Sequence, residues 1–287
     1  MTDCTPLPWD IAVVGLGIRG IHQMTREVEE TVRRCAKTFV TDMALGVVDH
    51  LRTLCPEVVD LSSAYRPGNH RVLIYRQMAA QVVTAALESP PVCFASYGHP
   101  KVYCYPTTLI QRAARVLDLK VTVLPGISSL DSLLVDLNLD PALDGLQVYE
   151  ATDLVVRERP LQTDAPCVLL QAPIVLDAFN SGGVPRVDDV GRVQEYLLRF
   201  YPPDHWVTLL VSAVHPLLEP IRKGVRVADL TRALRQAPTV STLYIPPVGS
   251  RPVADRELAE RMRLPDTGNG NGPPRRPGRP PIGPRAE

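Results

Sequence analysis

The chain has 287 residues, 31 basic and 31 acidic side chains, 45% hydrophobic and 22% charged residues. That length supports one large core or two of about 100–150 residues each. Zero net charge argues against the strongly basic face of a nucleic-acid protein, and no run of about 18 apolar residues is present to cross a membrane.

Met1 to Asp10 carries Asp3 and lacks a basic stretch ahead of an apolar core, so it does not read as a signal peptide. The six cysteines, at 4, 35, 55, 93, 104 and 167, form no C-x-x-C pair. Neither a zinc site nor a disulfide framework is indicated, and reduced thiols in a cytoplasm are expected. With four Phe and two Trp, the core must be built from Leu, Val, Ile and Ala.

In chain order, Ile11 to Val14 is a short β-branched run ending at Gly15 and predicts a buried strand. A helical pattern runs from about Met24 to Ala36, then a strand from Thr38 to Val40. Tyr75 to Leu87 predicts a helix with Met78, Val82, Val83 and Ala86 on one side. Val92 to Ala95 predicts a strand, followed by the loop Ser96-Tyr97-Gly98-His99-Pro100. Thr107 to Leu117 predicts a helix and Val121 to Leu124 a strand. This alternation gives an α/β sheet covered on both faces.

A domain boundary is expected near Leu124–Pro125, with an N-terminal α/β domain over 1–124 and a second over 125–264. In the second, Ser129 to Leu137 and Gln194 to Phe200 predict helices. Gln147 to Glu150, Cys167 to Gln171, Trp206 to Val211 and Thr242 to Ile245 predict strands. Residues 265–287 hold seven Pro, five Gly and four Arg, with Ile282 the one large apolar residue past Leu264. Such a segment cannot bury enough surface to offset its ordering entropy, and a disordered tail is expected.

Gly15-Leu16-Gly17-Ile18-Arg19-Gly20 matches G-x-G-x-x-G after a strand, and Asp42 closes the next strand. Locally this is a dinucleotide fingerprint. Against it, the helix starts only after Met24, which leaves the third glycine in a longer loop.

Five segments taken together point elsewhere: Val13-Val14-Gly15-Leu16-Gly17 with Met24-Thr25; Tyr97-Gly98-His99-Pro100; Leu124-Pro125-Gly126-Ile127-Ser128-Ser129; Leu169-Leu170-Gln171; and Ser241-Thr242-Leu243-Tyr244-Ile245-Pro246-Pro247. In that order and spacing, from about residue 10 to 262, the chain resembles the tetrapyrrole (precorrin) methylase superfamily. Two longer stretches, Asp60 to Met78 (DLSSAYRPGNHRVLIYRQM) and Pro141 to Pro160 (PALDGLQVYEATDLVVRERP), are similar to the borosin branch, peptide backbone α-N-methyltransferases. Where that branch often has an aromatic three residues before Tyr65, this chain has Ser62.

The resemblance implies two α/β domains with S-adenosylmethionine in the cleft between them. It carries over Gly15, Gly17, Tyr97, His99, Val102, Ser128, Gln171 and Thr242 as cofactor residues, and Tyr65, Arg71 and Tyr75 as catalytic ones. Within that set we read Tyr75 as base or proton relay, Arg71 as its electrostatic partner and Tyr65 as an orienting donor. A Tyr beside Arg is expected to ionise below its usual value of about 10. No metal is expected: the six histidines show no ligand spacing.

Proline has no amide proton to replace, and the tail lacks a Val/Ile/Gly-rich run. The expected substrate is therefore a precursor peptide supplied in trans, with a homodimeric enzyme as in the branch and no nucleic-acid or membrane partner. Competing readings are a methylase of a tetrapyrrole or other small molecule, a non-catalytic peptide-binding subunit, and an NAD-dependent oxidoreductase.

Overall fold

The computed structural model describes residues 7–41, 44, 46–180 and 189–263; the tail 265–287, Asp42 and Cys4 lie outside them. The backbone packs into two compact units. The first comprises Met1–Leu139 with Ala178–Gly182 and Ser212–Glu219; the second comprises Asp140–Asp177, Gly183–Val211 and Pro220–Glu287.

The first unit alternates strand and helix: β1 (Ile11–Gly15), α1 (Arg26–Arg33), β2 (Lys37–Thr41), α2 (Val47–Leu54), β3 (Glu57–Asp60), α3 (Arg71–Glu88), β4 (Val92–Ser96), α4 (Tyr105–Val116), β5 (Val121–Leu124) and α5 (Ser129–Leu137). Its strands form a parallel sheet in the order β3-β2-β4-β1-β5. Successive side chains on a strand face opposite ways, so both faces of β1 are apolar. Ile11 and Val13 join Phe39, Met78, Val82, Phe94 and Ile110 under α3 and α4. Ala12 and Val14 join Val28, Val32, Val40 and Leu51 under α1 and α2. Such double burial is the reason parallel strands read as continuous hydrophobic runs.

The expected division at Leu124–Pro125 falls inside this unit, between β5 and α5. The later segment Ser212–Glu219 is tied to it: Ser212 Oγ donates to Asp136 Oδ2 at 2.6 Å, and Arg19 Nε donates to the Ala213 carbonyl at 3.2 Å.

The second unit carries α6 (Pro141–Asp144), β6 (Gln147–Glu150), α7 (Ala151–Val156), β7 (Cys167–Leu170), α8 (Gly191–Leu197), β8 (Trp206–Val211), β9 (Ile221–Arg226), α9 (Leu230–Gln236), β10 (Thr242–Ile245) and α10 (Arg256–Arg261). The strand order is β6-β7-β10-β8-β9, with β6 parallel to β7 and the remaining pairs antiparallel. Its core gathers Leu154, Leu169, Val193, Leu197, Leu209, Leu234 and Leu243.

Among the described residues, no helix is long and apolar enough to cross a membrane. Cys35, Cys55, Cys93, Cys104 and Cys167 are free thiols.

Candidate active site

In the first unit β1 lies between β4 and β5, so the loops leaving all three meet at the carboxyl edge of the sheet. Ligands of open α/β sheets bind at that edge. Backbone contacts there are too close for side chains. A Cβ added to Gly15 would stand 2.5 Å from the Gly98 oxygen and 2.8 Å from the Gly126 Cα. Gly17 and Gly98 exchange two backbone hydrogen bonds, of 3.2 and 3.0 Å, which lock the first loop to the second.

Gly17 is required for a second reason. Its φ is +78°, the left-handed region that glycine tolerates, and a Cβ there would strike the Gln23 side chain. Gln23 Oε1 in turn accepts from the backbone N–H of Ile18 at 2.8 Å and of Arg19 at 3.0 Å. A dinucleotide turn offers its amides, and the start of the next helix, to a pyrophosphate. Here two of those amides are taken, a 3-10 turn occupies Gly20–His22, and α1 starts only at Arg26, capped by Thr25 Oγ1 accepting from Val28 N. The glycine match is therefore a closed turn, and the geometry speaks against the NAD reading. Asp42, its expected acid, lies outside the described residues.

The loop after β4 holds Tyr97, 46% exposed, and His99, half-buried. His99 Nδ1 accepts from the Lys101 N–H at 3.0 Å, and its carbonyl accepts from Val102 N at 3.0 Å. With Nδ1 used as acceptor, the ring proton of neutral His99 sits on Nε2. Val102 is half-buried in the same loop. Ser128 is buried as the N-cap of α5: its Oγ accepts from Leu130 N and Asp131 N and donates to Asp131 Oδ2. Gln171 and Thr242 lie in the second unit. Gln171, at φ +60°, follows β7, and Thr242 opens β10, nearly fully buried.

Tyr65, Arg71 and Tyr75 form one cluster of the first unit. Tyr65 follows β3 after a short 3-10 turn, Ser62–Ala64, and is 36% exposed. The helix α3 starts at Arg71, four residues earlier than the apolar spacing shows, because His70 Nδ1 caps it by accepting from Val72 N at 3.3 Å. Arg71 and Tyr75 are thus i and i+4 neighbours on one helix face. The rings of Tyr65 and Tyr75 meet edge-on with centroids 6.3 Å apart.

Electrostatics reverse one expectation. Burial raises the Tyr75 phenol above its usual value of 10.0; Arg71 opposes this without overcoming it, and Cys104 adds to it. Tyr65 is raised further, by burial first, then by Tyr75 and Cys104, against Arg71. Both are phenols at neutral pH. The cost of removing a tyrosinate from water exceeds what one guanidinium returns.

Three participants were missed in the sequence. Tyr105, 41% exposed, opens α4 and meets Tyr75 with centroids 6.3 Å apart, which joins the tyrosine cluster to the loop of Tyr97 and His99. Phe179 and Asn180 come from a distant segment: the Phe179 carbonyl accepts from Arg71 Nε at 3.0 Å, and Asn180 Nδ2 donates to the Tyr65 carbonyl at 2.6 Å. No local pattern marks such long-range partners. Tyr105 alone carried a signal, as an aromatic just before the proline at a helix start.

The sequence profile of the Tetrapyrrole (Corrin/Porphyrin) Methylases matches residues 10–205. The chain belongs to this family. Membership places it among S-adenosylmethionine-dependent methyltransferases. This methylase is 30% identical over 88% of its length to the methyltransferase/ribosomally synthesized cyclic peptide omphalotin A precursor of Omphalotus olearius, covering 61% of that protein. It is 31% identical over 84% of its length to the corresponding dendrothelin A precursor of Dendrothele bispora, covering 58% of it. The chain thus spans about three fifths of the length of these relatives.

Solved structures with this fold include the methyltransferase CobJ, with TM-score 0.60, 16% identity, and 86% of this chain and 97% of that one covered. Uroporphyrin-III-C-methyltransferase from Thermus thermophilus gives TM-score 0.58 at 20% identity, covering 92% of this chain and 100% of that one.

The first unit's residues suit such a nucleoside ligand. The methylase presents an aromatic ring, Tyr97, beside a floor of glycine backbone at the sheet's carboxyl edge. Among the described residues, no group of three His, Cys, Asp or Glu is placed to hold a metal ion.

Proposed function

We propose that this methylase α-N-methylates backbone amides of a precursor peptide supplied on a separate chain. The observation that supports the reading is the ring contact of Tyr75 with both Tyr65 and Tyr105, the latter opening the helix that follows the loop of Tyr97 and His99. The same reading assigns Gly15, Gly17, Tyr97, His99, Val102, Ser128, Gln171 and Thr242 to the cofactor.

A peptide nitrogen is a poor nucleophile because its lone pair is delocalised into the carbonyl, a resonance whose loss costs about 18–20 kcal/mol. Taking the N–H proton while charge is stabilised on the carbonyl oxygen avoids that loss and gives an imidate. When bound, S-adenosylmethionine supplies a methyl group already activated by its sulfonium. The chain's residues then have to bind the peptide, stabilise the oxygen and move one proton. The Tyr65 phenol, un-ionised at neutral pH, donates to the peptide oxygen. Arg71 holds the negative charge that develops beside it. Tyr75 takes the amide proton after releasing its own to solvent, so the reactive form is the minor tyrosinate: a phenol that ionises reluctantly gives a stronger base once ionised, and a peptide N–H is a very weak acid.

The composition of 265–287, where seven proline nitrogens carry no proton to replace, makes this segment itself a poor substrate. A homodimer acting in the cytoplasm completes the reading, and sedimentation of the purified chain tests the dimer.

Purified protein with S-adenosylmethionine is offered, in parallel, apolar peptides and a tetrapyrrole, with mass spectrometry of the enzyme's own chain alongside. Methyl groups on peptide amides, abolished in Tyr75→Phe, are expected. Methylation of the tetrapyrrole alone overturns the peptide reading. Methyl groups on the enzyme's own tail overturn the trans assignment. Peptide binding without turnover leaves a non-catalytic subunit.

A further inference from the structure

The segment Ala178–Gly182 belongs to the first unit, although the chain on both sides of it belongs to the second. Its described residues lie along the loop between Tyr65 and α3. Gly68 N donates to the Asn180 carbonyl at 2.9 Å, Asn180 N donates to the Asn69 carbonyl at 2.9 Å, and Arg71 N donates to the Ala178 carbonyl at 2.9 Å. His70 and Phe179 pair as an antiparallel bridge, with their rings 5.2 Å apart at 70°.

Two further bonds reach the functional side of the loop. Arg71 Nε donates to the Phe179 carbonyl, which fixes the guanidinium stem. Asn180 Nδ2 donates to the carbonyl of Tyr65 itself. The backbone bonds hold the loop in place whatever residue stands at 180. The Asn180 side chain adds a bond to the residue that carries the Tyr65 phenol, whose own N–H donates to the Ser62 carbonyl at 3.0 Å.

We propose that Asn180 is a positioning residue that sets the Tyr65 backbone, and so aims the Tyr65 phenol relative to Arg71 and Tyr75. The inference rests on peptide methylation only for the choice of substrate; the geometry it describes does not depend on what is methylated. A misplacement of about 1 Å in a positioned group costs up to about 100-fold in rate.

Asn180→Ala deletes the donor and keeps the backbone bonds. Asn180→Asp is isosteric but turns an acceptor toward the Tyr65 carbonyl, until the carboxyl is protonated and donates again. Expected are a fall in kcat of at least about 10-fold in Asn180→Ala with KM changed less than about 3-fold, and a larger fall in Asn180→Asp at pH 8. Lowering the pH toward the carboxyl range must lift Asn180→Asp relative to Asn180→Ala. A role confined to folding leaves that ratio flat.

Amide hydrogen exchange of residues 64–71, measured without substrate, gives a second readout: faster exchange in both variants at pH 8, with β1 and β4 unchanged. A wild type inert on peptides sinks the proposed substrate, while the exchange result still decides the role of Asn180. Kinetics and exchange both equal to wild type in the two variants overturn the proposal.

Discussion

Gln23 Oε1 accepts from the Ile18 N–H at 2.8 Å, and with the companion bond to Arg19 N it fills the amides of the glycine turn from inside the protein. Ile18 is almost completely buried, so its N–H has no ready solvent partner if Gln23 is lost. Gln23→Ala is expected to destabilise the protein by about 1–3 kcal/mol, the cost of leaving a buried donor unpaired. The measurement is a lower urea midpoint at unchanged m. Calorimetry should find no NAD binding in either protein; an unchanged midpoint removes the closing role given to Gln23.

Gly15 faces backbone of two other loops, at 2.5 Å from the Gly98 oxygen to a notional Cβ. Backbone cannot swing aside as a flexible side chain can. Gly15→Ala should therefore cost about 1–3 kcal/mol of stability through overpacking, and weaken S-adenosylhomocysteine binding by at least 10-fold in titration calorimetry. Retained affinity together with retained stability would show that the three loops do not meet as described.

Burial outweighs Arg71 at Tyr75, so the phenol ionises above its usual range. If Tyr75 takes the amide proton, kcat should climb with pH from 7 to 10. In Tyr75→Phe that climb should vanish, with kcat at least about 100-fold lower, the contribution of a positioned proton acceptor. An equal climb in the variant removes Tyr75 from the proton path.

Cys167 is fully buried on β7, and burial pushes its thiol from 9.0 up to about 12. Below pH 9 folded and unfolded chains both keep the proton, and the stabilising difference is whole. From pH 9 the unfolded thiol ionises while the folded one does not, so the free energy of unfolding falls until pH reaches about 12. The loss approaches about 1.4 kcal/mol per pH unit. Tyr65, Tyr75 and Tyr201, all raised, add the same sign from near pH 10. Cys167→Ala should lose stability less steeply than wild type between pH 9 and 10 in denaturant titrations. Parallel slopes count against a buried, protonated thiol.

Legibility followed burial. β1, β4, β5, β8 and β10 were readable because each is a short apolar run between turn residues. β9 was not: in Ile221–Arg226 all but Val225 are exposed, and an edge strand with both faces open carries no apolar pattern. α2 and β3 lie outside the expected elements too; β3 is an edge strand, paired on one side to β2, with no fully buried residue to mark it. Apolar spacing starts the helix only at Tyr75, because the first turn of α3 buries only Ile74 and owes its start to the His70 cap. In the site, the residue types at 65, 71 and 75 were legible as a motif. The balance that keeps the tyrosines protonated, and the partners at 179 and 180, exist only in three dimensions.

The bond from Arg71 to Phe179 spans 108 residues of sequence. A ribosome adding about 5–20 residues per second makes Arg71 roughly 5–20 s before its partner. Tyr65 and Arg71 therefore leave the ribosome without the segment that aims them, and the first unit reaches its finished arrangement only after Ser212–Glu219, which follow β8, have been made. A chimera that exchanges residues 60–78 between relatives should accordingly carry residues 178–180 from the same parent.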